Sequence, residues 1–372
     1  IQYQKGTRNL YVEDDTSEAE ITVDTETGTI LLEANPNEDA IQEIRLYQNG
    51  KLVGNNTRNL FVEDDVNQDP NRKELQISLI PGLNEFSAVA INSQGTESVP
   101  KKLNVNYMPS QQSLIKPQGI QAHILVIGID EYQNPKYNLN YAVADATGFQ
   151  NSLQEGLINI TSKTHVYFIK NKEAIRENIV MKLNEIAAVA NPQDIFIFYY
   201  AGHGVVLPGN KQEFYLVPSD VTQLYGDDGA IQQKGISASE LKKIASGIVA
   251  QKQLYLLDAC QSAGALTTLA RGAAEEKAIA QLARSTGTHW LTASGSQQFA
   301  TEFDELGHGV FTYALLEALS GKADSGDQRV TVNELKAYLE SRVPEISEKY
   351  KGSPQYPSSF GFGQDFPVSV QK

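Results

Sequence analysis

The sequence has very little cysteine: Cys260 is the only one in 372 residues. A single cysteine cannot form a disulfide within the chain, which is consistent with a reducing compartment. Long apolar runs are missing as well, since none approaches the ~20 residues of a membrane-spanning helix, and no signal-peptide pattern is present. We therefore expect a cytoplasmic protein without a membrane segment. Because the chain begins at Ile1 and not at methionine, we also expect it to be a fragment of a longer protein.

Basic residues are outnumbered by acidic ones, 31 Lys and Arg against 45 Asp and Glu, which gives a net charge of -14. This balance argues against a nucleic-acid partner, which would require a basic face. The histidines show no ligand spacing such as His-Glu-x-x-His, so the sequence predicts no metal site. They are His123, His165, His203, His289 and His308. The length of the chain and its hydrophobic content of 41% are enough for two domains with a sizeable core.

Residues 108–118 divide the chain into two predicted domains. This stretch is polar, contains proline and has no sustained period, as expected of a linker. In residues 1–107, short segments of alternating polar and apolar residues are separated by turns at Asn49-Gly50 and Pro81-Gly82. This pattern predicts a small all-β, immunoglobulin-like sandwich, which is more often an interaction or spacer module than an enzyme.

A repeat within the first domain has two interpretations. Residues 7–15 recur at residues 57–65 with one difference, Tyr11 against Phe61. The simpler interpretation is two equivalent strands of one sandwich, because two copies are too few for a solenoid. The alternative is that one copy, which contains Arg-Asn, imitates a substrate and occupies the pocket of its own or another molecule.

Residues 119–372 alternate between short apolar runs and segments of helical period. The apolar runs are near residues 124–129, 166–169, 195–200, 254–257 and 289–293, and the helical segments are 142–156, 172–190, 237–250, 310–320 and 332–350. Ser237 and Glu240 have the spacing of a capping box. Apolar strands of this kind are typical of a sheet that is buried on both faces, and right-handed crossovers align their ends. The sequence therefore predicts an α/β domain, a three-layer sheet with helices on both faces.

His203 and Cys260 both lie where an apolar strand gives way to small residues, 57 positions apart. Strand ends of this kind are neighbours at the carboxyl edge of a parallel sheet. A thiol with a pKa near ~8.5 needs an imidazole to take its proton. The pair therefore predicts a nucleophilic cysteine with a histidine base, with the backbone N–H groups of Cys260 and Gly204 stabilising the oxyanion. Gly202 and Gly204 are expected to allow a sharp turn there. The simpler alternative is an inert buried thiol.

Two motifs carry a resemblance to a known family. Tyr-Tyr-Ala-Gly-His-Gly at residues 199–204 and Asp-Ala-Cys-Gln-Ser-Ala-Gly at residues 258–264 resemble the caspase-like cysteine peptidases, most of all the bacterial metacaspase or orthocaspase branch. Residues 123–130 resemble the first strand of that family, and residues 139–146 resemble the segment that opens its first helix. The resemblance implies the caspase-like fold, an endopeptidase with a Cys/His dyad, and protein or peptide substrates. It leaves the oligomeric state open.

The residue two positions before the cysteine departs from the animal caspases, which have glutamine where this chain has Asp258. In the metacaspase-like branch this aspartate lines the pocket for the residue before the cut, together with an aspartate that matches Asp145. Two carboxylates in a partly desolvated pocket favour a cation, so the resemblance implies cleavage after Arg or Lys. Alternatively, Asp145 interacts with a helix dipole and Asp258 is an ordinary strand-end carboxylate. Ala201 stands where metacaspases often have serine.

The segment after the cysteine contains basic residues that such a protease could cut. In the family the corresponding loop is often cleaved by the enzyme itself, which makes Arg271, Lys277 and Arg284 candidate sites of self-processing. The alternative interpretation is a solvated helix, because residues 273–283 have helical composition.

Two acidic segments could suggest a calcium site. Residues 323–334 faintly resemble a calcium loop, but the first position is alanine and the sixth is Gln328 in place of glycine. We therefore predict a polar loop between helices, a simple turn at residues 227–229, and no cofactor. Calcium dependence is left open, because some metacaspases need calcium.

Two other classes of function are compatible with the same residues. The α/β domain could be a catalytically silent scaffold in which the sandwich mediates protein interactions. It could also be a related cysteine hydrolase of non-peptide acyl substrates, since a fold and a dyad do not fix the substrate.

Overall fold

Two regions of regular structure follow one another in the computed structural model of the chain. The described residues are 2–5, 8–10, 20–36, 39–53, 69–109, 119–207, 213–224, 228–261, 268–293, 302–303, 307–352 and 354–371. Most of the predicted linker and the second copy of the repeat, residues 57–65, lie outside these ranges. Of the first copy, only residues 8–10 are described, as a strand.

The regular elements described in the first region are all strands. They are β1 (Gln2–Lys5), β2 (Arg8–Leu10), β3 (Glu20–Val23), β4 (Thr27–Glu33), β5 (Ile41–Gln48), β6 (Lys51–Leu52), β7 (Arg72–Ser78), β8 (Gly82–Asn92) and β9 (Lys101–Tyr107). One sheet has the order β2-β1-β4-β7 and the other β3-β9-β8-β5-β6. Side chains from both sheets, among them Ile30, Leu75, Leu46 and Phe86, form one buried core. The predicted all-β sandwich is confirmed.

The second region contains twelve described strands, eight of which form one central sheet. Its strands are β10 (Gln121–Gly128), β11 (Lys163–Lys170), β12 (Ile195–Val206), β13 (Phe214–Leu216), β14 (Ile236–Ser237), β15 (Lys252–Gln261), β16 (His289–Thr292), β17 (Glu302–Phe303), β18 (His308–Gly309), β19 (Arg329–Thr331), β20 (Ser358–Gly361) and β21 (Pro367–Val370). The order of the sheet is β11-β10-β12-β15-β16-β20, in which the first five strands are parallel and β20 is antiparallel. Every residue of β12 is buried, as expected for a strand covered on both faces.

Helices cover both faces of this sheet. They are α1 (Ala142–Leu157), α2 (Arg176–Val189), α3 (Asp228–Lys234), α4 (Ala238–Gly247), α5 (Thr268–Thr286), α6 (Val310–Glu317) and α7 (Val332–Lys351), with 3₁₀ turns at Pro135–Tyr137 and Asn171–Glu173 and a π-helical turn at Ala318–Lys322. Alternate strand residues supply two cores: Phe196 and Phe198 pack with α2, α4 and α5, whereas Ile195 and Ile197 pack with α1, α6 and α7. The predicted three-layer α/β fold is confirmed. None of the helices in the described ranges is long and apolar enough to cross a membrane.

Local boundaries agree with the sequence at one helix and differ at two others. The capping box is confirmed, because Ser237 and Glu240 each accept a hydrogen bond from the other's backbone N–H. The segment with helical period from residue 172 begins with a 3₁₀ turn, and α2 itself begins only at Arg176. The turn predicted at residues 227–229 is wrong in its described part, since α3 begins at Asp228.

The hairpin formed by β5 and β6 packs against the α/β domain. Its turn is Asn49-Gly50, as the sequence predicts, with φ angles of 52° and 85°. Beyond the turn, the Nζ atom of Lys51 donates a hydrogen bond to the carbonyl of Ile248 at 2.7 Å. Only 4% of Lys51 is exposed. Gly287, the residue after α5, has a φ of +63°, and a Cβ atom there would lie 1.7 Å from the carbonyl oxygen of Gly50. The two regions therefore meet in a tight contact of backbone against backbone.

The buried amine makes this contact sensitive to pH. Burial lowers the pKa of Lys51 from 10.5 to about 7. Between those values the unfolded chain binds more protons than the folded one, so stability rises with pH, by up to ~1.4 kcal/mol per pH unit. In Lys51→Met the carbonyl of Ile248 keeps its hydrogen bond from the Gln253 side chain. We expect the midpoint of urea unfolding to rise more between pH 7 and pH 9 in the wild type than in Lys51→Met. Equal rises in the two proteins would contradict this assignment.

Candidate active site

The register between β12 and β15 brings the predicted pair together. In this parallel pairing His203 lies opposite Cys260, and Ala201 lies opposite Asp258. Paired residues on neighbouring strands are ~4.8 Å apart along the hydrogen-bonding direction. The described part of Cys260 is its backbone, so the thiol itself lies outside the description. Two residues that are 57 positions apart in the sequence are therefore direct neighbours at the carboxyl edge of the sheet.

The imidazole of His203 is held by a backbone carbonyl. Its Nε2 atom lies 2.7 Å from the carbonyl oxygen of Tyr137, in the 3₁₀ turn that follows β10. A carbonyl can only accept, so Nε2 must carry the hydrogen, and in a neutral imidazole Nδ1 is then the basic nitrogen. His203 is 4% exposed, and its ring lies 4.9 Å from the ring of Tyr132. The hydroxyl of Tyr132 accepts a hydrogen bond from the backbone N–H of His203. This arrangement fixes both the tautomer and the orientation of the imidazole.

The glycines beside His203 have a different role from the one the sequence suggests. The expected sharp turn is wrong, because β12 continues through Val206 and pairs Gly204 with Leu216 of β13. A Cβ atom at Gly202 would lie 2.8 Å from the hydroxyl of Tyr132, and one at Gly204 would lie 2.7 Å from the ring of Phe214. Both glycines therefore make room for aromatic rings that support the strand end.

The two predicted carboxylates converge on the start of α6. Asp145, in the first turn of α1, and Asp258, at the end of β15, are 4% and 7% exposed. A Cβ atom at Gly309 would lie 3.0 Å from Oδ2 of Asp145 and 3.4 Å from Oδ2 of Asp258. The backbone N–H of Gly309 donates to both oxygens of Asp145 at 3.1 Å, and the hydroxyl of Thr312 donates to Asp258 at 2.7 Å. Gly309 is the N-cap of α6, so the positive end of that helix faces the acidic pair.

Two other side chains adjoin this acidic pair and were not predicted. The Nδ1 atom of His308 lies 2.8 Å from Oδ1 of Asp145. Tyr199 lies 2.6 Å from the hydroxyl of Thr312 through its own hydroxyl, which extends the hydrogen-bond chain to Asp258. In the sequence, His308-Gly309 directly before an apolar helix could have drawn attention to this position. Asp145 also fits the alternative interpretation, an interaction with a helix dipole, since it lies in the first turn of α1.

The candidate self-processing residues all lie in α5, and so the helix expected as the alternative is present. Lys277 is exposed, and the guanidinium of Arg284 is 3.3 Å from the carboxylate of Glu97 in the sandwich. Of Arg271, only the backbone is described. Residues 262–267, between Cys260 and the helix, lie outside the described ranges.

In the loop that resembles a calcium site, carboxylates accept hydrogen bonds from the loop's own backbone. Among the described residues, Asp324, Asp327 and Glu334 bring carboxylate oxygens within 4.8 Å of one another. Asp324 accepts hydrogen bonds from the backbone N–H groups of residues 326, 327 and 328, and Glu334 accepts from Ser325. The segment joins α6 and its π-helical turn to β19 and α7, in agreement with the predicted loop between helices.

Three solved structures are similar to parts of this chain. The chain is similar to protein GSU0716 from Geobacter sulfurreducens, with 16% identity over 68% of this chain and 100% of that one and a TM-score of 0.46. It is similar to a pro-sf-caspase-1 structure, with 14% identity over 70% of this chain and 95% of the other and a TM-score of 0.39. A fibronectin(III)-like module of CbhA from Clostridium thermocellum matches 26% of this chain and 96% of its own, with 13% identity and a TM-score of 0.20. No curated protein matches the chain. The sequence model of the caspase domain matches residues 121–361, about two thirds of the chain, which therefore belongs to the caspase family of cysteine peptidases.

Proposed function

We propose that this protein is a cysteine endopeptidase of the metacaspase or orthocaspase type, which cleaves proteins or peptides after Arg or Lys. The observation that carries the proposal is the register of β12 and β15, which pairs His203 with Cys260 and puts a buried aspartate two residues before the cysteine. The base and the nucleophile therefore share one strand end with a pocket for a cation.

The chemistry begins with proton transfer from the thiol of Cys260 to Nδ1 of His203. Nε2 donates its hydrogen to the carbonyl of Tyr137, so Nδ1 is the nitrogen that takes this proton. The thiolate attacks the scissile carbonyl, and backbone N–H groups at Cys260 and Gly204 stabilise the oxyanion. When the C–N bond breaks, the imidazolium returns its proton to the leaving amine. Water then hydrolyses the thioester, with His203 as the base.

Selectivity for a basic residue comes from Asp145 and Asp258. Both carboxylates are more than nine-tenths buried, and the structure brings them together around the backbone of Gly309. A guanidinium or ammonium group that enters this pocket gains charge-assisted hydrogen bonds. An acidic side chain would add a like charge in a poorly hydrated place, so cleavage after Asp is disfavoured.

Matched reporter peptides test this function. The wild type should cleave reporters that end in Arg or Lys and leave the Asp reporter intact, whereas Cys260→Ala should cleave none of them. An Arg-directed electrophile should label one site per chain, at Cys260. Turnover that persists in Cys260→Ala would refute the assignment. Absence of both turnover and labelling in the wild type would instead favour a silent scaffold.

We also propose self-processing within α5, at Arg271, Lys277 or Arg284. A protease binds its substrate in an extended form, so the helix must unwind locally before it is cut. Arg271 lies in the first turn of α5, where hydrogen bonds open most readily, whereas Arg284 is tied to Glu97. We expect mass spectrometry of incubated wild type to find a fragment that ends at Arg271 first. If wild type and Cys260→Ala give the same fragments, processing does not occur.

A further inference from the structure

His308 lies beside the proposed pocket and takes no part in the proposed proton transfer. Its Nδ1 atom is 2.8 Å from Oδ1 of Asp145, and a quarter of its side chain is exposed. The ring lies over Gly148 of α1, where a Cβ atom would be 3.1 Å from Cε1 of His308 and 3.1 Å from Leu316 of α6. The absence of a side chain at Gly148 therefore leaves room for the ring between the two helices.

Hydrogen bonds from two consecutive residues define the orientation of Asp145. Oδ1 accepts from His308 and from the backbone of Gly309, and Oδ2 accepts from the backbone of Gly309 at 3.1 Å. Oδ2 is also the oxygen nearest to the Cβ position of Gly309, on the side where Oδ2 of Asp258 lies. The donor on His308 therefore engages the oxygen away from Asp258 and directs the other oxygen toward it.

The residue type at position 308 matters because a positive charge there would offset the negative charge of Asp145. A neutral imidazole can donate from Nδ1 without adding a positive charge. A lysine or arginine at this position would donate as well, but it would neutralise Asp145 and compete with the side chain of the substrate. Histidine can hold the carboxylate in place and leave its charge available for a substrate.

We infer that His308 is the positioning residue of the specificity pocket: it holds Asp145 so that Asp145 and Asp258 face the same substrate cation. This inference rests on the proposed cleavage after Arg or Lys. It concerns the binding of the residue before the cut and not the reactivity of Cys260. A loss of His308 should therefore raise KM and leave kcat nearly unchanged.

Two isosteric replacements separate a donor effect from a packing effect. The amide nitrogen of asparagine occupies the place of Nδ1, whereas the amide of glutamine reaches the place of Nε2. We expect His308→Gln to raise KM for an Arg reporter about 10-fold with kcat within about twofold, as expected for the loss of one charge-assisted hydrogen bond. His308→Asn should keep KM near the wild-type value. Alkylation of Cys260 by iodoacetamide, which does not use the pocket, should have the same rate in all three proteins.

Gly148→Ala provides an independent variant. Its methyl group would displace the ring of His308 without removing the imidazole, and alanine is the better helix former, so α1 should persist. We expect the same rise in KM as in His308→Gln. Unchanged KM values in folded His308→Gln and Gly148→Ala would overturn the inference, and so would an equal fall of kcat and of the alkylation rate. If the wild type cleaves neither Arg nor Lys reporters, both the proposed function and the role of His308 fail. If the wild type cleaves them and the variants match it, only the role of His308 fails.

Discussion

Replacement of His203 by alanine is expected to lower kcat for an Arg reporter by ~1000-fold or more, because general base and acid catalysis by one side chain contributes ~100- to 10,000-fold and the thiol also loses its activating partner. The backbone of His203 is paired with Cys260, and its Nε2 donates to the carbonyl of Tyr137. The basic nitrogen is therefore fixed in direction before the substrate arrives. Single-turnover and steady-state rates at neutral pH measure the effect, with KM expected to change little.

His165→Gln provides the control for this experiment. His165 lies in β11, where its Nε2 is 2.8 Å from the side chain of Gln121, at the opposite end of the sheet from His203. This variant should retain wild-type kcat. Comparable losses in His165→Gln and His203→Ala would indicate a general effect on folding. A His203→Ala enzyme with wild-type kcat would contradict the dyad.

The second large effect is expected at Asp258. Asp258→Asn should lower kcat/KM for an Arg reporter by ~100-fold or more, because removing one partner of a buried ion pair costs ~2–5 kcal/mol. Asparagine has the same shape, and its oxygen can still accept the hydroxyl of Thr312, so the end of β15 should keep its structure. Kinetic assays with purified variants measure this change.

A citrulline reporter makes this test specific for charge. Citrulline has nearly the shape of arginine but no positive charge. The wild type should prefer Arg over citrulline strongly, and Asp258→Asn should reduce that preference by the same factor by which it loses activity on Arg. If Asp258→Asn slows both reporters equally, then the carboxylate supports the strand end and does not select the substrate. Asp145→Asn should give the same pattern as Asp258→Asn.

The sequence was sufficient to predict which strands bring His203 and Cys260 together. Apolar runs that end in small residues identified the ends of β12 and β15, and the rule that parallel strand ends align predicted that His203 and Cys260 would be neighbours. The resemblance added Asp145 and Asp258, and the structure brings both to Gly309. These features depend on local patterns, which a single sequence contains.

Other parts of the site depend on contacts that no local pattern encodes. The partner of His203 is a backbone carbonyl, which every residue has, so Tyr137 has no signature in the sequence. His308 is 163 positions from Asp145, and their contact requires α1 and α6 to pack side by side. The Asn49-Gly50 turn was predictable as a turn, but its close contact with Gly287 depends on how the sandwich packs against the α/β domain.

We propose that Cys260 and His203 cut polypeptides after a basic residue. The most direct measurement is digestion of a diverse peptide library by the wild type and by Cys260→Ala, with the residue before every new cut identified by mass spectrometry. We predict Arg or Lys before nearly all wild-type cuts and no cuts by Cys260→Ala. Cuts after acidic or neutral residues, or cuts that persist without the thiol, would contradict it.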